Sequence, residues 1–99
     1  MVIRRFRKGD ILLYDGELLK GIILVRAGVI NVRAQVSLFD SYTIEELYPR
    51  CSYGSYAYFA DADSKHKNSK FTLEASQPGE YYFIKYSLLD TLAFSDASF

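Results

Sequence analysis

The chain has 99 residues, 49% of them apolar, and its twelve basic side chains are matched by twelve acidic ones. That length supports one small core and a single domain over residues 1–99. Zero net charge removes the global field that draws proteins to nucleic acid or anionic membranes. A lone cysteine, Cys51, excludes an intrachain disulfide, and a lone histidine, His66, excludes a metal centre built from several imidazoles.

Val2–Phe6 reads as a first short strand. Lys8-Gly9-Asp10 and Asp15-Gly16-Glu17 read as tight turns, because glycine takes positive φ without steric cost. Between them Asp10–Tyr14 reads as a second strand. Lys20–Arg26 and Val29–Val36 are expected to form a hairpin around Ala27-Gly28. In its second arm Ile30, Val32, Ala34 and Val36 alternate with polar residues, the period of a strand with one wet face. Ser37–Tyr42 reads as a turn. Thr43–Leu47 admits a helical turn or a strand, and its context favours the strand; Pro49 then interrupts regular structure.

Gly54–Ala60 is expected to form a short helix after a turn, with Ser52 or Ser55 near its N-terminus. Asp61–Ser69 is polar and lysine-rich, hence a loop. Phe71, Leu73 and Ala75 alternate with Thr72 and Glu74 as a further strand. Pro78-Gly79 predicts a turn, and aromatic-rich Glu80–Lys85 the last strand. Leu88, Leu89, Leu92 and Ala93 have helical spacing with Ser87 as cap, and Ser95–Phe99 reads as a frayed end. Short strands punctuated by glycine turns describe a mainly β roll or barrel.

No segment approaches the roughly 20 apolar residues that cross a bilayer. The basic cluster Arg4, Arg5, Arg7 and Lys8 is followed by no signal-peptide core. The expected location is cytoplasmic, including the cytoplasmic face of a membrane protein. Starting so near a strand, the chain reads as a fragment of a longer protein.

Phe6-Arg7-Lys8-Gly9-Asp10-Ile11, Tyr14-Asp15-Gly16-Glu17 and Ile22–Val32 with Ala27-Gly28 at its centre resemble the cyclic-nucleotide-binding domain family. Ser52-Tyr53-Gly54-Ser55-Tyr56-Ala57 looks like that family's phosphate-binding cassette, and Phe71–Ala75 and Tyr82-Phe83-Ile84 continue the match. The resemblance implies a double-stranded, jelly-roll-type β-roll with a short cassette helix and a short C-terminal helix. It implies a non-catalytic regulatory module, with the family's ion-channel branch as the expected parent. Gly54, Ser55, Tyr56 and Ala57 are then expected to line the phosphate end, with Lys67 or Lys70 as substitute cations and Ser69 as a further ligand-site position.

Two departures from the family pattern are chemical. Ser55 stands where the family has a glutamate that accepts a hydrogen bond from the ribose hydroxyl. Ser69 stands where it has an arginine that pairs with the cyclic phosphate, and the nearby Lys67 and Lys70 are point charges without the planar fork. The expected cofactor is therefore none, or a weakly held cyclic nucleotide. The expected partners are other domains or subunits of the parent, not nucleic acid. The alternatives are a genuine cAMP or cGMP receptor and a protein-interaction β-domain built on two aromatic groups, Tyr53, Tyr56, Tyr58 and Phe59, and Tyr81, Tyr82, Phe83 and Tyr86.

Overall fold

The computed structural model describes residues 2–55 and 68–97, with side chains through Thr91. Among them are β1 (Val2–Phe6), β2 (Ile11–Leu13), β3 (Gly21–Gln35), β4 (Ser41–Leu47), β5 (Ser52–Tyr53), β6 (Thr72–Lys85) and α1 (Tyr86–Ala97). All strand pairings are antiparallel.

Two long strands organise everything else. Along its second half β6 pairs with β1 on one side and with the first half of β3 on the other. Along its first half it pairs with β2 and with the second half of β3. The first half of β3 also carries β5, and the second half carries β4. The result is two four-stranded layers, β1-β6-β3-β5 and β2-β6-β3-β4, that share β3 and β6.

The change from one layer to the other occurs where the β3–β6 register shifts three times between Val25 and Ile30. Gly28 sits there with φ +82°. A Cβ on Gly28 would lie 2.6 Å from the Pro78 carbonyl oxygen, and one on Gly79 would overlap the Ala27 carbonyl. A hairpin was expected around Ala27-Gly28 and a turn at Pro78-Gly79; each strand instead continues through. The glycines act as bulges that bend paired strands rather than as turns that end them. Pro78 is tolerated because an unpaired bulge residue has no ladder partner for the amide hydrogen that proline lacks.

The turns at Gly9 and Gly16 form as the sequence predicts. Asp10 N donates to the Arg7 carbonyl at 3.0 Å, and Glu17 N donates to the Tyr14 carbonyl at 3.0 Å. Thr43–Leu47 lies in strand β4, which begins at Ser41, so the preceding reversal is tighter than the expected Ser37–Tyr42 turn. Val36 N closes it on the Asp40 carbonyl at 2.8 Å. α1 starts at Tyr86 and runs to Ala97. Ser87 is thus inside the first turn, not the cap, and the helix continues past Ser95. Of the expected Gly54–Ala60 helix, Gly54 is a bend and Ser55 is helical; residues 56–60, with Tyr56 and Ala57, lie outside the described residues, as does Lys67 in the expected loop.

The core fills the space between the layers. Ile30 and Leu73 are completely buried, and Val25, Val32 and Leu47 nearly so. Phe6 stacks against Tyr81 with ring centroids 6.0 Å apart. Burial follows the alternation of Ile30 and Val32 but fades toward the β3–β4 tip, where Leu38 and Phe39 are 83% and 91% exposed.

The glycine roles separate experimentally. Gly79→Ala is expected to destabilise the domain by about 3 kcal/mol or more, since backbone must move at the crossing. Gly9→Ala, with nothing within 4 Å of the new methyl, is expected to cost only the left-handed penalty of about 1–2 kcal/mol. Urea denaturation of the two variants measures the difference.

Candidate functional site

The cassette position is entered from β5, whose Ser52 and Tyr53 pair with Leu24 and Ile23. Gly54 then turns with φ +96°. A Cβ there would stand 2.9 Å from the Gly21 carbonyl oxygen and 3.0 Å from the Tyr86 hydroxyl. Glycine is therefore required by both its dihedral and its neighbours. The Tyr86 hydroxyl donates to the Gly54 carbonyl at 2.9 Å, joining the cassette entry to the first residue of α1. The Ser55 hydroxyl lies 3.1 Å from that of Ser52.

Ser69 comes to the same region from the other end of the segment. It is the one buried polar side chain among the described residues. Its hydroxyl donates to the Phe71 carbonyl at 2.7 Å and accepts a 3.3 Å bond from Phe71 N. A hydroxyl has one hydrogen, so the 2.9 Å contact with Tyr53 is donated by the tyrosine. Its backbone is fixed as well: Ser69 N donates to the Glu17 carbonyl at 2.8 Å, and Gly16 N donates to the Ser69 carbonyl at 2.7 Å. The glycine turn at Gly16 thus holds Ser69 in place. Lys70, the next residue, is exposed.

Of Gly54, Ser55 and Ser69, the first bonds Tyr86 and the last bonds Tyr53, while Ser55 bonds Ser52. Among the described residues no carboxylate or guanidinium bonds to any of the three. Burial pushes the Tyr86 hydroxyl up to about 12, with the neighbouring Tyr53 adding to the effect. Tyr53 is raised too, chiefly by burial, and the Asp15 carboxylate adds to the effect. Sequence reasoning placed Tyr53 and Tyr86 in separate aromatic groups. Their partners lie 16 and 32 residues away, and no local periodicity reports a contact of that span.

A second concavity opens beside this network, with a volume of about 680 Å³. Buried Leu13, Leu19, Ile23, Tyr81 and Tyr86 form its floor, and exposed Arg4, Lys20 and Lys85 stand on its rim with Glu17. Leu19 and Tyr86 also make the closest side-chain approaches to Gly54, so they form a wall between cavity and cassette. The sequence analysis did not find this cavity.

The tyrosine environment has a pH consequence. A phenol raised from its ordinary value of 10.0 to about 12 favours the neutral form in the folded state. Its contribution to stability is complete below pH 10 and is lost as pH rises through about 12. Tyr86→Phe is expected to flatten that alkaline loss while costing about 1 kcal/mol at neutral pH, through the bond to Gly54. Urea midpoints measured at pH 8 and at pH 11 check both effects.

No family model matches the chain, and no curated protein does. Many solved structures do match its architecture. A transcriptional regulator of Thermotoga maritima is 15% identical with a TM-score of 0.80, covering 98% of this chain and 72% of that one. The catabolite activator protein of Thermus thermophilus is 16% identical with a TM-score of 0.78, covering 92% and 40%. The EAL enzyme Bd1971 in its cAMP-bound form is 10% identical with a TM-score of 0.74, covering 93% and 24%. This chain thus spans less than half of the last two proteins. At such identities what is shared is architecture: the chain has the β-roll fold of cyclic-nucleotide-binding domains.

Proposed function

We propose that the chain is a non-catalytic, ligand-sensing regulatory module on the cyclic-nucleotide-binding β-roll, with weak or no binding of cAMP or cGMP. The observation that carries this reading is Ser69. It stands at the expected arginine position, and its hydroxyl is committed to Tyr53 and Phe71 within the fold. Among the described residues Ser55, at the expected glutamate position, bonds Ser52 alone. Hydrogen bonds to charged groups contribute about 1.5–3 kcal/mol each, so two missing ones cost on the order of two to four decades in affinity. In this reading Lys67 or Lys70 is the substitute cation, and Gly54 and Ser55 are the phosphate-end positions, with Tyr56, Ala57 and Lys67 outside the described residues.

The parent is a longer regulatory protein in which this roll acts on neighbouring domains or subunits. The similar structures include transcriptional regulators and a catabolite activator, which supports a regulatory role more directly than the ion-channel parent expected from the resemblance. The described part of the molecule has no helix long and apolar enough to cross a membrane.

Calorimetric titration tests the reading. The natural chain is expected to give no saturable heat with cAMP or cGMP at about 100 μM ligand. A Ser55→Glu/Ser69→Arg variant is expected to gain partial binding, together with lower thermal stability from breaking the Tyr53–Ser69 bond. Low-micromolar affinity in the natural chain overturns the proposal.

One observation favours a second reading, a protein-interaction β-domain. The tip between β3 and β4 presents Val36, Leu38 and Phe39 to solvent, an apolar cluster of the kind that marks contact surfaces. If that tip is an adhesive surface, sedimentation velocity will show self-association rising with concentration, and Leu38→Ser/Phe39→Ser will abolish it. A strict monomer throughout the series counts against it.

A further inference from the structure

We propose that the cavity beside the cassette is a second ligand site, suited to an amphiphilic carboxylate with an apolar body. The argument begins with register. Arg4 pairs with Tyr81 on β6, which pairs with Val25 on β3. Lys85 lies two positions past Phe83 on the same strand. Alternation therefore puts Arg4 and Lys85 on the face of the sheet that carries buried Phe6, Ile23, Val25 and Tyr81. Both side chains are exposed, so they stand at the edge of that face, and among the described residues neither has a carboxylate partner there. The outward cations have one: Arg26 and Arg5 approach Glu80 at 2.9 and 3.9 Å. Among the described residues, Arg4, Lys20 and Lys85 make no salt bridge. Arg4 instead places its guanidinium 4.8 Å from the centre of the Phe83 ring.

These cations surround an opening whose floor is aliphatic and aromatic. Three positive groups against Glu17 alone leave the rim electropositive. The volume of about 680 Å³ lies within the range of small-molecule sites. The charge selects an anion, and the floor selects an apolar body. Stacked on Phe83, the Arg4 guanidinium keeps its planar fork free for a carboxylate. The wall of Leu19 and Tyr86 separates this ligand from the cassette, so the assignment stands whether or not a cyclic nucleotide binds there.

The test uses decanoate below its micelle-forming concentration, with decanol and decylamine as neutral and cationic counterparts, titrated calorimetrically. Decanoate is expected to bind saturably and more than about tenfold tighter than decanol, as one charge-assisted contact implies. Arg4→Glu/Lys85→Glu is expected to weaken decanoate by at least that factor and leave decanol unchanged. Arg4→Gln/Lys85→Gln, a milder change at two exposed positions, is expected to give a smaller loss in the same direction. Equal binding of the three alkyl probes overturns the proposal, since the cavity is then only an apolar surface for a neighbouring protein segment. Absence of saturable binding overturns it as well. Displacement of decanoate by cAMP overturns the claim of a separate site.

Discussion

The approach of two backbones at the β3–β6 crossing governs the molecule. Gly28 and Gly79 meet the Pro78 and Ala27 carbonyls at distances that exclude any side chain. Only there can the two longest strands bend together while staying paired on either side. Bent in this way, β3 and β6 each serve two layers, and Leu73, Ile30, Phe6 and Tyr81 face one another across a single interior. Surface ion pairs such as Arg26–Glu80 contribute little by comparison, because exposed pairs are typically worth less than about 1 kcal/mol.

The crossing also explains what could be read from the sequence and what could not. Strand identity was legible at Ile30–Val32 and at Leu73–Ala75, where alternation reports a half-buried sheet face. The Gly9 and Gly16 turns were legible because each is closed locally, within four residues. Ala27-Gly28 and Pro78-Gly79 misled because a bulge and a turn demand the same residue types. Telling them apart requires knowing that the two dipeptides lie opposite each other, some fifty positions apart in the chain. β5 was missed for a simpler reason: two residues carry no periodicity.

The candidate site divides in the same manner. Gly54, Ser55 and Ser69 were singled out by resemblance, and the fold does bring them into one region. The environment of Ser69 was not legible, because its partners Tyr53, Gly16 and Glu17 are assembled by the roll. The cavity was invisible for a related reason. Arg4 sits in a run of basic residues that reads as a solvated strand face, and only the register with Tyr81 turns it inward.

The bond from Tyr86 to Gly54 carries a mechanical implication. It fastens the hinge of the cassette to the root of α1, across a gap of 32 residues that holds the whole of β6. Any shift of the Gly54 peptide must therefore either pull the helix base with it or snap that contact. One phenolic hydrogen thus couples the position of the Gly54 peptide to that of the helix base.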